Sequence, residues 1–106
     1  MDAGLKITDE GQCLVLCGDF YGHSTREARD AIYHHLATTQ GDVRIDCAEV
    51  EAVDLNALRL LAVATRQAHA EGRRMVLCGC RPSVRRMLHL SRLYRLLEVE
   101  GSPLVA

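Results

Sequence analysis

The fold is decided by residues 43–79, which read VRIDCAEVEAVDLNALRLLAVATRQAHAEGRRMVLCG. Apolar and polar residues alternate from Val43 before the pattern loosens towards Val50, which predicts a central β-strand. From Leu55 to Glu71 the sequence is rich in Leu and Ala and has no Gly or Pro, so it predicts a helix that Gly72 ends. The apolar run RMVLCG then predicts another buried strand. The stretch is therefore a strand–helix–strand unit.

The flanking sequence extends this unit in both directions. Further strands are expected over Leu5–Thr8, Gln12–Gly18 and Leu96–Glu100, with a turn at Asp9–Gly11 between the first two. Further helices are expected from a cap at Ser24 or Thr25 to about Thr38, and from Pro82 onward. The order β-β-α-β-α-β-α-β predicts an α/β fold. Its mixed sheet has an N-terminal hairpin and mostly parallel inner strands, and helices back it.

Length and composition fit a single domain over residues 1–106, with a short loose tail at about 101–106. The chain has 106 residues, of which 48% are hydrophobic and 25% charged, a balance that argues against disorder. Its net charge of −1 gives no global field that would recruit nucleic acid or an acidic membrane. Arginines crowd the C-terminal third, where they form either a local basic face or, the interpretation favoured here, a solvated helix surface.

The pattern of apolar runs and cysteines predicts a reduced, cytoplasmic protein. The N-terminus lacks the basic and apolar blocks of a signal peptide, and no apolar run approaches the roughly 20 residues of a membrane span. None of the five cysteines has Cys-x-x-Cys spacing. Even separations place Cys13 with Cys17, and Cys78 with Cys80, on one side of each strand. Buried thiols are the favoured interpretation, and a redox role stays open.

Catalytic and metal chemistry has little support in the sequence. A group of carboxylates at Asp46, Glu49, Glu51 and Asp54 has no histidine or nucleophile at a motif-like spacing. Glycine-rich phosphate loops are absent, so no nucleotide or other cofactor is expected. The adjacent His34 and His35 point about 100° apart on a helix and cannot easily share one metal ion. A non-enzymatic protein is predicted.

The start of the central helix, Asp54 to Asn56, is the candidate site. A helix N-terminus exposes unpaired N–H groups and the positive end of the helix dipole, which stabilise an anion such as phosphate. Asp54 and Asn56 either compete to cap this helix, worth about 1 kcal/mol, or mark a functional loop. Asn56 supplies a cap in the second interpretation, but it has no hydroxyl to phosphorylate.

Several motifs in order carry a family resemblance over nearly the whole chain. Asp46, Val50, Val53, Asp54 and Leu58 fall without a gap on the pattern D-L-S-x-V-x-x-I-D-S-S-G-L. Downstream, Ala68 with Gly72 and the segment 82–88, PSVRRML, match the family's "A-x-x-G-G-x-L-x-L … P-x-V-R-R-x-L". Upstream, LVLCGDFYGHST at residues 14–25 is similar to "v-v-x-l-x-G-e-l-D-x-x-t-a". The chain thus resembles the STAS family, the anti-sigma factor antagonists.

This resemblance implies a non-catalytic protein-interaction module of bacterial signalling and transcription regulation. In the family, an unphosphorylated antagonist binds an anti-sigma factor kinase, and phosphorylation of a loop serine breaks the complex by adding negative charge to the contact. The partner-binding surface that it implies comprises Tyr21, Gly22, His23, Ser24, Asp54, Leu55, Asn56, Ala57 and Leu58.

The chain departs from the family pattern at the phosphorylated position itself. The phosphorylatable serine falls on Asn56, the serine before it on Leu55 and the glycine after it on Ala57. An acid of the upstream motif falls on Tyr21, and a late glycine on Arg92. Neutral Asn56 resembles the unphosphorylated state more than a phosphate, so we expect partner binding without a switch at this position.

Other functions stay open for the same fold. STAS-like subunits also serve lipid-transport ABC systems, where the partner is the ATPase. A small-ligand sensor is a third interpretation, in which the apolar sheet and the cysteines line a pocket, and a homodimer is compatible with each. Other hydroxyls are available for phosphorylation, although each is better explained as a cap or turn residue: Ser24, Thr25, Ser83 and Ser91.

Overall fold

A computed structural model describes residues 5–100 and contains every element that the sequence predicts. The strands are β1 (Lys6–Glu10), β2 (Cys13–Phe20), β3 (Val43–Val53), β4 (Met75–Cys78) and β5 (Glu98–Val99). The helices are α1 (Thr25–Thr38), α2 (Leu55–Ala70) and α3 (Pro82–Ser91), with short 3-10 turns at Gly22–Ser24 and Leu93–Leu96. The predicted order of elements is confirmed. The tail expected at about 101–106 lies outside the described residues.

The strands form one mixed sheet in the order β1-β2-β3-β4-β5. The β1–β2 hairpin is antiparallel and the remaining pairs are parallel, as predicted. Each crossover joins neighbouring strands and steps in the same direction, so the right-handed rule places the connecting helices on one face. On β3, Val43, Ile45 and Cys47 are buried on that face, whereas Arg44 between them is exposed.

The structure moves several of the predicted boundaries. β1 includes Asp9 and Glu10, because both pair with β2 and leave the turn to Gly11 and Gln12. β3 runs beyond Val50 to Val53, because β2 continues alongside it through irregular register. β5 is shorter than expected, since residues 93–96 form a 3-10 turn. Where these strands end depends on pairing with a neighbouring strand. A local pattern of residues does not reveal that pairing.

The core lies between the sheet and the helices. Along α2 an apolar stripe at helical spacing faces the core, because Leu58, Leu61, Ala62, Thr65 and Ala68 are all buried. α1 buries Ala28, Ile32 and Leu36, and α3 buries Val84 and Leu88. Three amphipathic helices thus cover one face of the sheet.

Candidate functional site

Asp54 caps α2. Its Oδ1 accepts a hydrogen bond from the Ala57 N–H at 2.9 Å, and its backbone is extended, with φ −112° and ψ 178°. The interpretation in which Asn56 supplies the cap is wrong, because Asn56 is already the second residue of the helix. A capping residue must precede the helical backbone so that its side chain can reach back to the unpaired N–H groups. Asn56 is instead exposed to solvent in the first turn.

Asp54→Ala is expected to lower the free energy of unfolding by about 1 kcal/mol, because it removes this cap. Asp54→Asn keeps a side-chain oxygen in the same place and should cost much less. Urea denaturation of the two variants beside the wild type gives the comparison. Equal losses for both variants would show that the carboxylate charge, and not the cap, stabilises the helix start.

The structure brings the two predicted contact segments together. Phe20 and Val53 are paired at the ends of β2 and β3, and the Asp54 N–H donates to the Phe20 carbonyl at 3.3 Å. The loop that follows β2 therefore lies beside the start of α2. Within that loop the ring centroids of Tyr21 and His23 are 6.2 Å apart. Two loops that leave parallel strands at the same sheet edge make one continuous surface.

Burial separates this surface into accessible and inaccessible side chains. Tyr21 and Leu55 are 36% and 38% exposed, and His23 and Asn56 are also exposed. By contrast, the side chains of Ser24, Ala57 and Leu58 are at most 3% exposed. Ala57 and Leu58 face the sheet, so these three side chains cannot touch a docked protein.

The sequence did not predict an apolar groove that lies next to Leu55. It has a volume of about 300 Å³ and lies between the start of α2 and the end of α3. Leu90 on its wall is 72% exposed. The sequence does show that Leu90 lies off the inward-facing stripe of α3. Only the packing of α3 against α2 shows that Leu90 neighbours Leu55.

A second groove, between α1 and α2, was not predicted from the sequence for the same reason. Arg26 and Arg29 of α1 and Arg59 of α2 line it, with Asn56 at one end. The spacing of the α1 arginines was readable in the sequence. Their approach to α2 depends on the order of the strands.

All five cysteines are free thiols, of which Cys47, Cys78 and Cys80 are buried. Cys80 packs in the core with Cys47, whereas Cys78 is paired with Asp46 on the other face of the sheet. The expectation that Cys78 and Cys80 share one side is wrong, because β4 ends at Cys78 and Gly79 turns the chain with φ +69°. A hydrogen bond with Cys80 and burial raise the pKa of the Cys47 thiol. Burial raises the pKa of Cys78 to about 11, so at neutral pH the Cys78 thiol is protonated and poorly nucleophilic. The hydrogen bond with Cys47 lowers the pKa of Cys80 instead.

The histidines are separated as well. His35 is buried, with Nδ1 3.2 Å from Asp9 Oδ2, while its neighbour His34 is exposed. Across residues 5–100, no group of three or more His, Cys, Asp or Glu side chains could hold a metal ion. Over the same range, no helix combines the length and apolar content that crossing a bilayer requires.

Solved structures with the same fold include anti-sigma factor antagonists. One from Mycobacterium paratuberculosis has a TM-score of 0.74 and 20% identity, and the match covers 92% of this chain and 85% of that chain. A putative antagonist from Thermotoga maritima has a TM-score of 0.73 and 14% identity, with 90% and 84% covered. Unphosphorylated SpoIIAA of Bacillus has a TM-score of 0.71 and 16% identity, with 93% and 90% covered. Identities this low establish the shared fold alone.

Comparison with curated protein sequences gives no match. A protein-family model does match, over residues 3–98, and its description is "Mlab, STAS domain". With nearly the whole chain inside that model, and with the sheet and helices of the antagonists around it, this protein belongs to the STAS domain family.

Proposed function

We propose that this STAS domain is a non-catalytic interaction module that binds an anti-sigma factor or a kinase-like protein. The contact surface consists of Tyr21, His23, Leu55 and Asn56, with the apolar groove beside Leu55. The observation that carries the proposal is the exposure of large apolar side chains around a capped helix start. Exposed apolar patches of this kind mark protein contacts.

Asn56 makes this surface insensitive to phosphorylation at its own position. SpoIIAA has been solved in both an unphosphorylated and a phosphorylated form, and the resemblance places the family's phosphoacceptor at Asn56. A phosphate would add nearly two negative charges to the contact surface. The Asn56 amide is neutral and cannot accept one, so binding here is constitutive.

Capture experiments test the partner class and the surface together. The immobilised protein is incubated with lysate of its own organism, and the retained proteins are identified by mass spectrometry. A kinase-like anti-sigma factor supports the proposal. With that partner purified, Leu55→Asp is expected to weaken binding about 100-fold, because losing a central apolar contact costs about 3 kcal/mol.

Leu96→Asp is the matched control for Leu55→Asp. Leu96 is 60% exposed and lies in the 3-10 turn before β5, outside the proposed surface. It introduces the same charge at another exposed leucine and should leave affinity within about twofold. Equal losses for both variants would show that added charge, and not position, weakens the complex.

Asn56→Ser tests whether the surface is an intact switch that lacks only its oxygen. With a related anti-sigma factor kinase and ATP, the variant is expected to take up one phosphate on the substituted residue and to lose partner binding. The wild type should show no label at residue 56. An unlabelled variant that still binds the kinase would show that the kinase cannot use this helix start as a substrate.

A second candidate function is the accessory subunit of a lipid-transport ABC system, bound to its ATPase. Two observations favour it. The matching family model carries the description Mlab, and a position that cannot be phosphorylated suits a permanent subunit. Recovery of an ABC ATPase in the same capture experiment would select this function. The small-ligand sensor stays a prediction that no observation favours.

A further inference from the structure

The groove between α1 and α2 is cationic. Its volume is about 610 Å³, and its lining includes Arg26, Arg29 and Arg59 but no aspartate or glutamate of the described chain. Arg26, Arg29 and Tyr33 follow the i, i+3, i+7 spacing of one helix face. Asn56 and Arg59 lie on the first turns of α2 opposite them. The groove is thus continuous with the exposed helix start.

The three arginines of the groove have no counter-ion among the described residues. Within residues 5–100, none of their guanidinium groups donates a hydrogen bond or forms an ion pair. Some arginines elsewhere are engaged, since Arg44 pairs with Glu100 and Arg81 donates to the Ala48 carbonyl. Others in the described range, such as Arg66, are unpaired as well. What distinguishes Arg26, Arg29 and Arg59 is therefore that all three line one groove without an acidic residue of the described chain. Like charges gathered on neighbouring helix faces repel each other. Their repulsion is relieved when an anionic group enters the groove.

The lining also defines the shape of the occupant. Tyr33 and Leu60 are half-buried against the core and form the apolar base of the groove, and Val63 at its end is 56% exposed. A small inorganic anion would use the arginines but leave this base uncovered. A peptide segment with carboxylates on either side of an apolar residue uses both. A groove of this size accommodates several side chains.

From this lining we propose that the α1–α2 groove docks an acidic, partly apolar segment of the partner protein. Arg26, Arg29 and Arg59 pair with the carboxylates of the segment, and Tyr33 and Leu60 receive its apolar residue. This proposal rests on the proposed function for the existence of a partner and adds the chemistry of its contact. Charge complementarity of this kind raises the association rate and makes binding depend on salt.

A short synthetic peptide of glutamate and leucine is the probe. Titration into ¹⁵N-labelled full-length protein should shift the amide signals of Arg26, Arg29, Asn56 and Arg59, and the shifts should weaken as salt is added. Arg59→Glu is expected to lower peptide affinity about tenfold or more. Arg66→Glu makes the same charge change on the same helix outside the groove and should change affinity less than twofold. Both are surface substitutions, so the variants remain folded.

Other outcomes assign the groove differently and overturn the proposal. Inorganic phosphate that shifts the same amides as strongly as the peptide would make the groove a small-anion site. Binding to phosphatidylglycerol vesicles that Arg59→Glu abolishes, without peptide binding, would make it a membrane contact. Equal losses for Arg59→Glu and Arg66→Glu would show non-specific attraction.

The captured partner separates this proposal from the proposed function. Suppose that Leu55→Asp abolishes capture of the partner, whereas Arg59→Glu leaves capture unchanged at every salt concentration. This result would support the proposed contact surface and contradict the acidic-segment proposal. If the peptide binds the groove but Leu55→Asp leaves capture of the partner unchanged, the result would support the acidic-segment proposal and contradict the proposed contact surface around Leu55.

Discussion

Replacing Arg73 with alanine is expected to lower the free energy of unfolding by about 2–3 kcal/mol, because the guanidinium holds several otherwise unpaired acceptors. Nε donates to the Gly41 carbonyl at 2.8 Å, Nη1 to the Leu36 carbonyl at 2.6 Å, and Nη2 to Thr39 Oγ1 at 2.8 Å. Leu36 lies in the last turn of α1, where carbonyls lack helical partners and the dipole favours a cation. The Arg73 side chain is only 10% exposed, so water replaces these bonds poorly.

Urea denaturation measures this loss, and two further variants show its origin. Arg74→Ala removes the neighbouring arginine, whose ion pair with Glu98 is solvent-exposed, and should change stability far less. Arg73→Lys keeps the charge but not the planar donor fork, so it should restore only part of the lost stability. Full recovery with lysine would show that charge at the end of α1, and not the set of hydrogen bonds, stabilises this corner.

Leu61→Ala is expected to lower the free energy of unfolding by about 3–4 kcal/mol, the loss typical of a cavity left by a buried leucine. Leu61 is 1% exposed in the middle of α2. Because α2 carries Asn56 and Arg59 into the candidate surface, loosening its packing also reduces the fraction of molecules able to bind. Calorimetry or urea denaturation measures the stability change.

Val63→Ala is the control on the same helix. Val63 is 56% exposed, so its truncation should change the free energy of unfolding by less than about 0.5 kcal/mol. A loss at Val63 comparable with that at Leu61 would contradict the orientation of α2 on the sheet. It would also move Arg59 and Asn56 out of the surface on which both proposals depend.

The candidate site was predictable in its location but not in its composition. The helix start at residues 54–58 followed from a strand-like run that passes into a Leu- and Ala-rich helix, and both patterns are local. The choice of Asp54 as the cap depended on where the helical backbone begins, and propensity alone did not separate it from Asn56. Cys80 was assigned to the wrong side of the sheet because strand alternation was extended through Gly79, whose left-handed backbone ends it.

By itself, the sequence determined the order and type of the elements, the buried stripe of α2 and the family pattern around Asn56. These depend on periodicities that a few neighbouring residues carry. Only the tertiary structure decided what surrounds Asn56. Arg26 and Arg29 precede it by some thirty positions, and they reach α2 because β2 and β3 are neighbours whose crossovers lie on one face of the sheet. Leu90 reaches Leu55 through the packing of α3. Contacts between distant segments depend on strand order, and no local pattern of residues encodes that order.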